Sequence, residues 1–382
     1  MPNPLAFLAG VALVLTVLWE TFETIVLPRR VTRHFRVTRL FYRSTWIPYA
    51  ALAGMRKSRK KSDALLSYYG PLSLLLLMAF WAVGLVLGFA LIHFGDGARF
   101  SGTLLPSRFG NALYLSGTTL FTLGLGDITP ASPLARFVVV LEAGIGFGFL
   151  ALVIGYLPVL YQSFSRREVT ISLLDARAGS PPTAFELLRR HAGTGERMDA
   201  LTAVLHDWER WAAELMESHL SYPPLAYFRS QHDNQSWIAS LTVILDVCTL
   251  AMVGLGGMCQ YQARMTFAIA RHALVDLTQV FNAPPDGVGA SNRLGPQALA
   301  AIRGQLRELG LNLRDDEQAD AELARIRGLY EPYAISLAQY LRLDLPPWIK
   351  QDPAKDNWQT TAWREGQSRH GSRAVTVPDE HL

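Results

Sequence analysis

The chain of 382 residues has only two cysteines, Cys248 and Cys259, which gives no disulfide framework to expect. His191, His206, His219 and His232 are scattered, without the paired spacing of a metal site. No nucleophile motif and no pair of catalytic carboxylates stands out, so no enzyme is expected. No stretch is rich in strand-forming residues. The glycine run Val253-Gly254-Leu255-Gly256-Gly257 lacks a correctly placed third glycine and follows an apolar run too long for a strand, which argues against a dinucleotide-binding turn. Negative charge is missing where it would matter most: between Arg29 and Lys61 lie eleven Lys or Arg and no acidic residue. The net charge of +4 is therefore concentrated, and apolar segments flank the basic run, which argues against a nucleic-acid-binding arm.

Apolar residues are plentiful, at 50% of the chain. That is too many for an ordinary soluble protein, and membrane segments joined to a soluble domain fit the balance. Spanning a bilayer takes ~20 apolar residues. Three segments qualify: about Leu5 to Leu27, Gly70 to Phe94 and Leu134 to Tyr161. No basic residue precedes the first, and Arg29 and Arg30 follow it, the reverse of a signal peptide. The basic run belongs on the cytoplasmic side, which puts the N-terminus outside and the loop 95–133 outside as well. Arg30, Arg33, Arg36, Arg39 and Arg43 start with voltage-sensor spacing, but no further helices are available to shield them. The expectation is a segment over residues 29–61 lying on anionic headgroups, at ~1 kcal/mol per basic residue, with Trp46 to Met55 continuing it along the interface. Glu20 and Glu23 are expected to pair with arginines near the inner end of the first span.

The outer loop carries Ser116-Gly117-Thr118-Thr119-Leu120-Phe121-Thr122-Leu123-Gly124-Leu125-Gly126-Asp127. Glycine at alternate positions lets a backbone turn its carbonyls to one side without a Cβ penalty. Irregular backbone at membrane depth is tolerated only where it lines a cavity. Residues Asn111 to Phe121 read as a short helix leading into this stretch, with Phe109, Leu113 and Leu120 free to pack on neighbouring helices. Residues 95–108 read as an exposed turret.

This stretch resembles the potassium-channel pore family, whose common filter is T-x-x-T-V-G-Y-G-D. Thr119, Thr122, Gly124, Gly126 and Asp127 match, whereas Leu123 stands at the usual valine and Leu125 at the usual tyrosine. The resemblance implies ion sites formed by Thr122, Leu123, Gly124, Leu125 and Gly126, mainly through carbonyls that replace the water shell of potassium. It implies support from Thr118, Thr119 and Asp127. Leu125 cannot make the hydrogen bond that the family tyrosine makes behind the filter, so a weakly selective cation pore is the close alternative. Leu141-Glu142-Ala143-Gly144 with Gly146 and Gly148 looks like bacterial two-helix-plus-pore-loop channels. Gly146 sits where the family has a gating hinge, and close packing of small residues is the competing reading for Gly144, Gly146 and Gly148. Glu142 has two readings: a carboxylate near the cavity or supporting the pore helix, or a hydrogen-bonded structural group.

From about Arg166 helical periodicity dominates, as in the apolar stripe Leu201, Val204, Leu205, Trp208, Trp211 and Leu215. Trp237 to Gly254 is apolar enough to span but centres on Asp246, so burial in a cytosolic core is expected. The fold class expected is an all-α membrane protein. It combines a tetrameric potassium-channel-like pore (helix, pore helix, filter, helix) with an extra N-terminal membrane helix and a helical cytosolic domain. The divisions are 1–28 N-terminal helix, 29–68 basic linker, 69–161 pore domain, 162–350 helical cytosolic domain and 351–382 a polar, disordered tail. The expected protein is a homotetramer in the plasma (inner) membrane, with an unnamed regulatory ligand and no cofactor beyond potassium in the filter. A membrane-anchored sensor with a non-conducting pore-like fold is the alternative from another class.

Overall fold

Helices account for nearly all of the regular structure in the computed structural model, which describes residues 2–27, 36–103, 105–193, 195–231, 235–255, 260–285 and 293–350. Arg30, Arg33, His232, Gly256, Gly257, Cys259 and the tail from 351 lie outside the described residues. Two compact units are present. The first is Met1–Phe164 with Ser218–Arg229, and the second is Ser165–Glu217 with Ser230–Leu382. The segment Ser218–Arg229, placed by the sequence within the helical domain, thus belongs to the unit that carries the filter motif.

In the first unit α1 (Pro4–Thr21) starts at a proline behind the Asn3 cap, whose Oδ1 accepts from the Ala6 N–H at 3.2 Å. It packs along α3 (Arg59–Asp96) on a seam of glycines. A Cβ at Gly10 would lie 2.5 Å from the Gly88 carbonyl oxygen, and one at Gly95 would lie 2.3 Å from the Phe7 nitrogen. Such backbone approach is how helices associate where water supplies no driving force. A π-helical turn, Phe22–Val26, ends α1. There Glu23 accepts from Trp19 Nε1 at 2.8 Å and lies 3.9 Å from Arg36, an arginine partner of the kind expected. Glu20 accepts from the Thr38 N–H and Oγ1, at 3.0 and 2.9 Å, and so caps the next helix.

That helix, α2 (Val37–Gly54), packs one face on protein, which the sequence reading of an interfacial segment does not include. Arg39 and Arg43 are exposed, but Tyr42, Trp46, Ala50 and Ala53 form a buried face against α3. Trp46 is 3% exposed, with its ring centroid 4.8 Å from that of Tyr69. Aromatic area prefers a protein partner here over headgroups because rings of α2, α3 and Tyr227 are available to enclose it.

The two central apolar helices outrun the bilayer: α3 has 38 residues and α5 (Pro133–Ala178) has 46, against the ~20 that suffice. Residues 165–178 of α5 belong to the second unit. Between α3 and α5 lie β1 (Phe100–Gly102), α4 (Arg108–Leu120) and β2 (Ile128–Pro130), the strands pairing antiparallel as Phe100↔Pro130, Ser101↔Thr129 and Gly102↔Ile128. The turret expected over 95–108 is therefore partly a strand tied to the segment that follows the filter motif.

The second unit contains α6 (Ala184–His191), most of α7 (Gly195–Ser221), α8 (Trp237–Gly254), α9 (Gln260–Val280), α10 (Pro296–Glu308), α11 (Glu317–Gly328) and α12 (Glu331–Leu341). The stripe from Leu201 to Leu215 on α7 is buried at every position, as its spacing requires. Helix α8 is apolar enough to span a membrane, yet 89% of it is buried, among α6, α9, α11 and α12. Its Asp246 accepts from Arg293 at 2.7 and 3.2 Å and from the Tyr330 hydroxyl. Burial works to lower the Arg293 pKa, but Asp246 outweighs it and holds the guanidinium charged, well above its ordinary value. Glu331 bridges Arg293 and Arg327, at 3.1 and 2.9 Å, and both guanidiniums face the buried Trp348 ring.

Candidate ion-conduction site

Helix α4 is built to aim its C-terminal end. Ser107 caps its start, accepting from the Gly110 N–H at 3.2 Å. Asn111 clamps the incoming chain by accepting from the Leu105 N–H at 2.7 Å and donating to its carbonyl at 3.1 Å. Ala112, Leu115, Ser116, Thr119 and Leu120 are buried, and Phe109 meets Phe94 edge-on at 5.7 Å. Leu113 is only half-buried. The helix runs from Arg108 to Leu120, three residues earlier at its start than the sequence suggests. Its C-terminus carries the negative end of the helix dipole, which favours a cation beyond it.

The chain then changes hand at every second residue. Thr122, Gly124 and Gly126 have φ of +58°, +55° and +76°. Alternation between left- and right-handed residues makes successive carbonyls point the same way, as a row of ion ligands needs. Glycine adopts the left-handed region without cost, whereas Thr122 is β-branched and strained there by ~1–2 kcal/mol. The turn is held from behind. The Thr118 carbonyl accepts from Leu123 and Gly124 N–H at 2.8 and 3.3 Å, and the Thr119 carbonyl accepts from Thr122 N–H at 3.0 Å. Among the described residues no donor reaches the carbonyls of Thr122 to Gly126. Leu123 and Leu125 are exposed in the single chain.

Asp127 closes the motif. Its carboxylate accepts from the Tyr114 hydroxyl at 2.8 Å, and its carbonyl accepts from the Thr103 N–H at 2.9 Å. Gly102 approaches so closely that a Cβ there would lie 2.0 Å from the Asp127 oxygen. The far side is fastened by Arg136 Nε donating to the Pro130 carbonyl at 3.1 Å. Tyr114 and Asn111 escape a reading by motif, and only their positions on the helix preceding the glycines point to them.

The small residues of α5 separate by role. A Cβ on Gly146 would lie 2.2 Å from the Leu120 carbonyl oxygen, so this glycine lets α5 touch the end of α4. The packing reading thus has direct geometric support at Gly146. Gly144 and Gly148 face open space. Glu142 is fully buried, with Oε2 3.4 Å from His93 Nε2 and Oε1 without a hydrogen-bond partner. It therefore sits away from the open side of α5, where Leu141 and Phe147 are exposed, and the reading of a carboxylate near the cavity is corrected. Its position beside α3 and α4 suits support of the pore helix. Pro158 sits inside α5 and takes away the N–H that would bond the Ile154 carbonyl. Among the described residues no cluster of three His, Cys, Asp or Glu is arranged to hold a metal ion.

Helix, re-entrant helix with carbonyl loop, helix is the arrangement of an ion-channel pore, and residues 75–162 match the family model described as ion channel. That segment runs from within α3 to within α5 and is similar to an ion-channel domain. Over 205 residues the chain is 26% identical to an uncharacterized membrane protein of Bacillus subtilis (strain 168), YdjJ. The aligned region covers 53% of this chain and 59% of that relative. No solved structure matches the chain.

Proposed function

We propose that four copies of the chain surround one pore and form a passive potassium channel, with Thr122 to Gly126 supplying the ion sites. The observation that carries this reading is the left-handed backbone at every second residue of that stretch, with its carbonyls unengaged beyond the negative end of α4. One pore loop per chain requires several chains around an axis, and closed rotational symmetry satisfies that. Helix α5 supports assembly, because only 17% of its most apolar stretch is buried within the chain. Phe137, Val140, Phe147, Ile154 and Tyr161 stand exposed along it and call for lipid or sister subunits.

The positive-inside argument sets the N-terminus outside and the second unit in the cytoplasm, in the plasma membrane of the cell. Helix α8 is then a core helix of that unit and not a fourth span. Arg56, Lys57, Arg59, Lys60 and Lys61 are exposed at the turn between α2 and α3, where they would meet anionic headgroups. The second unit would bias the gate, with Gly144 and Gly148 on the open side of α5.

Purified protein in liposomes should pass potassium down its gradient, and bi-ionic reversal potentials give its preference over sodium. Protein that is assembled and inserted yet passes no cation would overturn the reading. A reporter fused after Leu382 tests the orientation, and activity outside the cytoplasm would refute it.

A further inference from the structure

We propose that Tyr222–Arg229 is a wedge through which the second unit sets the inner ends of α3 and α5. This rests on the channel reading and identifies the mechanical link to its gate. The chain leaves the second unit within α7, places Ser218–Arg229 in the first, and returns to the second at Ser230. The excursion includes a 3₁₀ turn, Pro223–Tyr227.

Its contacts in the first unit are extensive. Leu225 is fully buried in a cluster with Leu74 and Met78 of α3 and Tyr156, Leu160 and Phe164 of α5. Tyr222 meets Tyr156 edge-on at 5.6 Å, and Phe228 lies 5.6 Å from Phe164. Tyr227 stacks on Tyr42 at 5.4 Å and touches Trp46 and Tyr69. Arg229 pairs with Asp63 at 3.3 Å. The three α5 residues are spaced four apart, so the wedge holds one face of that helix.

Each gripped helix has a proline at the place of contact. Pro71 lies between Gly70, whose Cβ would be 2.8 Å from the Phe228 ring, and Leu74. Pro158 lies between Tyr156 and Leu160. Pro48 follows Trp46 in α2. A proline removes one helical hydrogen bond and leaves a point where a helix bends at low cost. A packed insert that spans such points, joined at both ends to another folded unit, transmits movement of that unit to them. Close packing makes the transmission stiff, because a filled core has discrete arrangements and does not yield continuously.

Single-channel recording of the whole protein in planar bilayers tests this. Leu225→Ala should change open probability by about tenfold and Arg229→Gln by about threefold, since each shifts a two-state balance. Unitary conductance and reversal potential should stay as in the parent. Leu160→Cys with Leu225→Cys, in a chain carrying Cys248→Ala and Cys259→Ala, should change open probability on oxidation and recover it on reduction. If Leu225→Ala does not assemble, Arg229→Gln and the cysteine pair still decide. A conducting parent whose assembled variants, oxidised or reduced, keep its open probability overturns the wedge alone. A parent that passes no cation overturns the channel reading, and the wedge with it.

Discussion

Helices α5 and α8 each contain a stretch apolar enough to cross a membrane, yet 17% of the one stretch and 89% of the other is buried inside the chain. Composition therefore says only that a helix avoids water. What covers it must be read from its neighbours. Around α8 the neighbours are amphipathic helices of the same unit, and its carboxylate finds an arginine, a tyrosine and a second carboxylate nearby. Around the apolar part of α5 the chain supplies α3, α4 and the Tyr222–Arg229 segment, and Phe137, Val140, Phe147 and Ile154 remain exposed. The two acidic residues tell the same story. Asp246 is matched by a guanidinium that stays charged, whereas Glu142 lies beside His93 and Ser116, and one of its oxygens has no hydrogen-bond partner among the described residues.

The comparison breaks first at the filter. Gly124→Ala puts a Cβ on a residue at φ +55° and should reduce potassium flux by about a hundredfold or more, because the carbonyl row loses its alternation. Liposome flux measures it, and undiminished flux would place conduction elsewhere. The next effect falls in the second unit. Asp246→Ala removes the nearer carboxylate of Arg293, leaving Glu331 and the Pro346 carbonyl, and should cost about 3 kcal/mol in thermal unfolding, whereas Asp246→Leu with Arg293→Met should recover most of it. A full recovery of stability by the single change would mean that the pair is not buried in solution. Gly146→Ala is smaller: its Cβ would press on the Leu120 carbonyl and should cost about 1–3 kcal/mol of channel stability. Alanine at Gly144, which faces open space, should cost almost nothing, and equal effects at the two sites would refute the packing role.

Local patterns explain what the sequence reveals of this molecule. The runs that become α1, α3 and α5 are legible because apolarity is a property of consecutive residues. The left-handed turns at Gly124 and Gly126 are legible because glycine marks them, whereas nothing in threonine marks the same conformation at Thr122. Pairings across distance leave no such trace. Arg293 lies 47 residues beyond Asp246, and Glu142 lies 49 beyond His93. Tyr227 completes an aromatic cluster begun at Tyr42, so the buried face of α2 reads in sequence as an interfacial segment rich in aromatics. The glycine seam at Gly10, Gly88 and Gly95 is hidden for the same reason, since its two helices meet far apart in the chain.

The smallest expected effect sharpens the comparison within the filter itself. Leu125 stands where the resembling family carries tyrosine and offers no hydroxyl for a bond behind the filter. In this chain a different hydroxyl braces the outer end, that of Tyr114 on the Asp127 carboxylate at 2.8 Å. Asp127 is further fixed through its carbonyl by Thr103, and the paired strands hold the chain that follows. With the end of the loop fastened, a tyrosine at 125 has less slack to remove. Leu125→Tyr should therefore raise potassium-over-sodium selectivity by only about threefold, and Tyr114→Phe should lower it by a similar factor. Reversal potentials under bi-ionic conditions report both. A large gain from Leu125→Tyr with no loss from Tyr114→Phe would show that the Asp127 bond does not brace the filter.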